Sequence, residues 1–258
     1  MSQPIIHELE GRVAFQVSEG IATITFFHPK SNSMPGALLR KLAQTITDVG
    51  QMPDVKVIVL ASEGDKAFCS GASFDELVSI DNFEQGKKFF LGFASVINAA
   101  RKCPKFIIGR VQGKAVGGGV GMASAVDYCY ATSGASIKLS ELAVGIGPFV
   151  VGPAVARKVG QSAFQILSID TEWRSAEWAR EKGLYAEVFD NIQDMDNAIA
   201  KLAKKLAASS PEAMAQIKQI CWEDCSHWDS LLDNRAEMSG RLVLSDFTKS
   251  FIRSFKNV

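Results

Sequence analysis

The sequence predicts an α/β body over residues 1–190 and an all-helical region over residues 191–258. Three observations carry this. Apolar residues before Asp190 switch repeatedly between extended and helical spacing, whereas those after it keep helical spacing alone. A run of glycines, Gly117-Gly118-Gly119-Val120-Gly121, joins an apolar strand to an Ala-rich segment. A rough unit of two extended segments followed by a helix also recurs along the body.

Taken in order, residues 13–17 and 21–27 alternate as two strands about the turn Ser18-Glu19-Gly20. Pro35-Gly36 opens an amphipathic helix in which Leu38, Leu39, Leu42, Ile46 and Val49 recur on one face. Residues 55–60 form a continuous apolar run, as a strand buried on both faces requires. A loop over 62–72 precedes a helix near Phe74, and a second apolar helix covers 89–99. Strand 106–111 leads into the glycine turn and a helix over 122–126. Extended segments follow at 127–132 and 136–139, then a Gly/Pro-rich stretch at 145–153. Helices at 195–208, 211–222, 227–240 and 247–255 complete the chain. Their aromatic residues Trp222, Trp228, Phe247, Phe251 and Phe255 need cover from the body or from another subunit.

Bulk properties exclude several classes. Lys+Arg and Asp+Glu both number 28, which gives no reason to expect nucleic acid or a membrane surface. No apolar run approaches the roughly 20 residues of a spanning helix, and the first eleven residues lack a signal-peptide pattern. The 5 cysteines are odd in number and scattered, which suggests reduced thiols in a cytoplasmic protein. Cys221 and Cys225 have no second pair and the histidines are dispersed, so packing outweighs metal binding. A dinucleotide site is disfavoured because Ser124 breaks the glycine spacing that begins at Gly119 and Gly121.

What the glycines do offer is an oxyanion site. Without Cβ atoms the backbone approaches a ligand closely, and N–H groups at a helix start favour negative charge. A carboxylate, Glu141, follows about twenty residues later. Taken alone, Glu141 reads as a surface or capping group; beside the glycine block it reads as a proton carrier.

At these residues the chain resembles the enoyl-CoA hydratase/isomerase (crotonase) superfamily, in four blocks spread over nearly its whole length. Residues 28–34 are similar to a CoA-contacting loop, with Lys30, Asn32, Ser33 and Met34 as the contacts. Residues 66–74 are similar to the segment bearing the first oxyanion amide, Ala72, flanked by Gly71, Ser73 and Phe74. Residues 113–127 are similar to the segment bearing the second, Gly118, flanked by Gly117 and Gly121. Residues 135–147 resemble the catalytic-carboxylate segment, with Pro148 and Phe149 following as in single-glutamate isomerases.

The resemblance implies a spiral of ββα units, a C-terminal helical region that builds trimers or hexamers, and an acyl-CoA substrate. No metal or separate cofactor is implied, since coenzyme A is part of the substrate. Phe255 and Lys256, with Lys249, Arg253 and Phe251, are candidates for the CoA head, level with a reading as plain helix-end residues.

One departure bears on mechanism. Two-glutamate hydratases carry an acid where this chain has Gly121, leaving Glu141 as the single base and acid. Moving a double bond needs one such group, so isomerisation is the leading expectation. A one-glutamate hydratase, including the methylglutaconyl type, stays open, as do decarboxylation and thioester hydrolysis. A non-catalytic or RNA-binding relative is the reading outside enzymology. Gly121 is also expected to leave room for a bulkier acyl group.

Overall fold

The computed structural model describes residues 11–256, with side chains up to Ser254. Strands β1 (Arg12–Ser18) and β2 (Ile21–Phe27) form an antiparallel hairpin whose turn puts Glu19 and Gly20 at positive φ. From β2 onward the large sheet is parallel, adding β3 (Val57–Ser62), β5 (Phe106–Val111), β7 (Tyr128–Thr132) and β9 (Glu187–Phe189) in that order. A second, smaller parallel sheet holds β4 (Ala67–Cys69), β6 (Lys114–Val116) and β8 (Ile137–Lys138). Each winding of the chain thus lays one strand in the large sheet and the next in the small one.

Helices follow these pairs. The hairpin leads to α1 (Gly36–Gln51), β4 to α2 (Phe74–Ser79) and α3 (Phe83–Lys102), and β6 to α4 (Gly118–Ala125). After β8 come α5 (Gly152–Val159), α6 (Gln161–Asp170) and α7 (Ala176–Glu181). Beyond β9 lie α8 (Ile192–Ala207), α9 (Pro211–Cys221), α10 (Trp228–Leu242) and α11 (Asp246–Lys256).

Continuous apolar sequence in β3 reflects two covered faces. Ile58 and Leu60 pack into the main core, while Val57 and Val59 meet Met195, Ile199 and Ala203 of α8. Asp127 fastens α9 to the body. It accepts hydrogen bonds from Ile107 N (2.8 Å), Lys218 Nζ (2.7 Å) and Trp222 Nε1 (3.1 Å), and Lys218 is only 3% exposed. Trp222 and Trp228 stack edge-on at 5.7 Å inside the core, so part of the tail's aromatic surface is spent on the body. Phe247, in contrast, is 65% exposed.

The body differs from the sequence expectation in three places. Helix α4 begins at Gly118, not at Met122, because the glycines form its first turn. The small-sheet strands β4 and β6 lie where the sequence predicts loop and turn, since they are too short for alternation to register. Beyond the Gly/Pro-rich stretch at 145–153, where the sequence pattern assigns no element, the chain carries three helices.

Candidate active site

The β4–α2 turn and the β6–α4 turn lie against each other. Gly71 (φ +89°) allows this, since a Cβ there would sit 2.9 Å from the Val116 carbonyl oxygen and 3.7 Å from Gly118 N. Gly117, the residue before α4, has φ +50°, a conformation L side chains rarely adopt. Gly118 rests on the Phe93 ring, and Gly119 on the Cys69 carbonyl, with no space for a side chain at either (2.0 and 2.5 Å from a Cβ). A positive φ at Gly117 and close contacts at Gly118 and Gly119 explain a run of glycines here.

The amides of Ala72 and Gly118 emerge from these two turns unused. Met34 N donates to Gly71 O (2.8 Å) and Ser73 N donates to Met34 O (3.3 Å), bonds that flank Ala72 and skip its N–H. Gly118 opens α4, where the first N–H groups have no carbonyl within the helix. Neither N–H has an acceptor among the described residues. Both residues line one crevice of about 620 Å³, counted to its solvent-open mouth.

The segment after β8 brings the carboxylate. Gly117 N donates to Lys138 O (2.8 Å), which ties β8 to the glycine turn three residues before Glu141. The turn is closed by Val144 N and Ile146 N, which both donate to Glu141 O. The carboxyl then lies against Gly117, whose Cβ position is 3.0 Å from Glu141 Oε1. Part of the residue remains reachable from the crevice, yet Oε2 is shut off from solvent and has no hydrogen-bond partner. Burial pushes this carboxyl up to about 7, only partly offset by the main-chain amides of Glu141 and Ser140, which favour the ionised form. Among the described residues lining the crevice, Glu141 is the only ionisable one.

Pro148, Phe149, Phe74, Gly71 and Gly117 also line this crevice. Other expected contacts are placed differently. Gly121 is not open space: a Cβ there would meet Val151 Cγ1 at 2.4 Å, so the room expected for a bulkier acyl group is filled by Val151. Asn32 turns inward, accepting from His28 N and donating to Glu63 O and Ala67 O, so it braces the loop between β2 and α1. Ser33 meets His28 Nδ1, Met34 is fully buried, and Ser73 caps α2 by accepting from Glu76 N. None of these four side chains lines the crevice. Lys30 is exposed and pairs with Asp75. The side chains of Phe255 and Lys256 lie outside the described residues; α11 itself packs on α2 of the same chain, and its Phe247 and Thr248 abut Gly145.

Sequence reasoning missed Phe90 and Phe93 of α3, Val151, and Ser239 of α10, all of which line the crevice. The two phenylalanines were visible as an apolar helix face. Nothing in the chain marks Val151 or Ser239, whose roles depend on contacts far along the sequence. Among the described residues no three His, Cys, Asp or Glu side chains cluster as metal ligands, and no helix is long and apolar enough to cross a membrane.

Comparison with known proteins identifies the family and the fold. The family model described as enoyl-CoA hydratase/isomerase matches residues 16–246. The peroxisomal Delta(3,5)-Delta(2,4)-dienoyl-CoA isomerase of Arabidopsis thaliana is 29% identical over 69% of this chain and 68% of its own. The short-chain-enoyl-CoA hydratase of Clostridium acetobutylicum is 28% identical over 83% and 79%. The crystal structure of an enoyl-CoA hydratase from Bacillus halodurans superposes with a TM-score of 0.87 at 20% identity, covering 94% of this chain and 99% of that one, a likeness of fold. With the match running through both amide-bearing turns and Glu141, the chain belongs to the enoyl-CoA hydratase/isomerase family.

Proposed function

We propose that this protein isomerises the double bond of an enoyl-CoA, with Glu141 as the only proton carrier. The carrying observation is that one ionisable group, pushed up to about 7 by burial, faces a crevice with two unused amides. In this reading the thioester oxygen accepts hydrogen bonds from Ala72 N and Gly118 N. Ionised Glu141 takes a proton from Cα of a β,γ-unsaturated thioester, and the electron pair moves onto the carbonyl oxygen as a dienolate. The same carboxyl returns the proton at Cγ, leaving the α,β-unsaturated thioester and ionised Glu141. Each amide donor contributes on the order of 3 kcal/mol to holding the enolate charge. Apolar walls keep water from intercepting it.

Hydration is the second reading, supported by the similarity to the short-chain-enoyl-CoA hydratase of Clostridium acetobutylicum. It requires water to be activated without a second carboxylate in the crevice. The other chemistries of an enolate site, decarboxylation and thioester hydrolysis, would use the same two amides. The substrate supplies coenzyme A, and no separate cofactor enters the reaction. We assign the exposed apolar residues Ile166, Ile169, Leu242 and Phe247 to contacts within a homotrimer or hexamer, and place the protein in the cytoplasm. Incubation with a β,γ-enoyl-CoA tests the first reading: ultraviolet absorbance of the conjugated thioester grows. Loss of that absorbance from an α,β-enoyl-CoA, with no gain from the β,γ isomer, would replace isomerisation by hydration.

A further inference from the structure

Among the described residues, buried serine and threonine hydroxyls take part in hydrogen bonds with one exception. Ser33, Ser62, Ser73, Ser124, Thr132 and Thr248 all take part in hydrogen bonds. Ser239 is 1% exposed, lines the crevice, and its hydroxyl makes no hydrogen bond to a described group. A serine inside a helix commonly discharges into the carbonyl four residues back, as Ser95, Ser124 and Ser168 do here. Ser239 does not. Its hydroxyl is not among the fully enclosed unpaired polar atoms of the described residues, so it opens to the crevice, where it is free to meet a ligand.

Its position follows from the packing of α10 on α3. The two helices meet at glycine, where a Cβ on Gly86 would lie 2.9 Å from Gly240 O. Gly86, Phe90 and Phe93 are spaced by four and three residues and share one face of α3. Phe93 lies under Gly118, at the oxyanion end. Gly86 is seven residues away, or about 10 Å along the helix axis. Ser239, next to Gly240, therefore meets the crevice well beyond the thioester. Most of the lining is apolar, and none of the described lining residues is a lysine, arginine or histidine. A carboxylate at that depth would have no counter-charge and would resist desolvation.

We propose that the crevice takes an acyl-CoA whose chain bears a neutral oxygen, a hydroxyl or ketone, several carbons beyond the thioester, and that Ser239 is the residue that recognises it. This rests on the reading of the crevice as an acyl-CoA site. Calorimetric binding of saturated thioesters tests it without any turnover by isomerisation or hydration. The probes are hexanoyl-CoA, 6-hydroxyhexanoyl-CoA, 5-oxohexanoyl-CoA and adipoyl-CoA. At least one of the two neutral oxygenated chains binds about five- to tenfold tighter than hexanoyl-CoA, the worth of one neutral hydrogen bond, and adipoyl-CoA binds more weakly. Ser239→Ala brings that preference to about one. Equal affinities in the wild type overturn the proposal, as does a preference that survives Ser239→Ala. The wild-type comparison decides by itself where the variant does not fold. Absence of binding by hexanoyl-CoA and every other probe overturns the acyl-CoA reading as well, and so separates the two failures.

Discussion

Glu141→Gln keeps the shape of the side chain while removing its charge and its proton traffic. In the native protein burial holds this carboxyl at about 7, against an ordinary 4.5. Between those values the folded chain retains a proton that the unfolded chain has released. The native state therefore binds more protons across that window, and its stability falls as pH rises through it. Below pH 4.5 both states are protonated and burial carries no ionic cost; above 7 the full cost applies. The span corresponds to about 3 kcal/mol, an upper figure because part of Glu141 is reachable from the crevice. Glutamine has no such dependence. Urea denaturation of both proteins at pH 5 and pH 8 reads the difference directly. The stability of Glu141→Gln relative to the wild type rises by about 2 kcal/mol between the two. In the same preparations isomerisation falls by about a thousandfold, the range of a general base, and wild-type kcat/KM climbs with pH through about 7 before levelling. A stability difference that stays constant with pH would refute the burial argument. An intact rate would refute the role.

Three further perturbations probe the frame around that carboxyl. Asp127→Ala leaves the Lys218 ammonium buried without its partner, so urea denaturation shows a loss of about 3–5 kcal/mol, and the Trp222 fluorescence shifts as its indole loses an acceptor. Gly118→Ala drives a methyl into the Phe93 ring and displaces the oxyanion amide; kcat falls by about a hundredfold, and a paired Phe93→Ala restores part of the stability but less of the rate. Gly121→Glu alone loses stability against Val151, whereas paired with Val151→Ala it recovers folding and gains hydration of an α,β-enoyl-CoA, followed as loss of conjugated absorbance.

Legibility in the sequence tracks how local the physics is. Strand β2, α1 and β3 were readable because their patterns repeat over six or more residues and each face has one environment. The three-residue strands β4 and β6 hold too few positions to show a period. They are specified by pairing with one another across more than twenty residues. The glycine block was legible because each of its glycines answers a positive φ or a close contact with a carbonyl, a ring or a neighbouring side chain. Glu141 was legible by its distance from that block, and its burial was not. Asn32 shows the opposite case. Its loop matches a ligand-contacting pattern, but its amide spans 31 and 35 residues to carbonyls of the neighbouring loop, a structural task that sequence spacing does not announce.

Gly121 shows why a missing side chain is ambiguous until its neighbours are known. A glycine in place of an acid leaves either a hole or an opening for something else to fill. A hole beside the enoyl chain would admit water near Cβ, and hydration would need only a way to orient it. Here Val151 enters that space, with its Cγ1 2.4 Å from where a Cβ would be. The substitution therefore removes a proton carrier and replaces the volume of its side chain with hydrocarbon. On the proposed reading, a dry wall on that side disfavours attack by water and leaves proton relocation by Glu141 as the easier course. Gly121 and Val151 act as one unit in this argument, which is why the single and double substitutions are expected to part so widely.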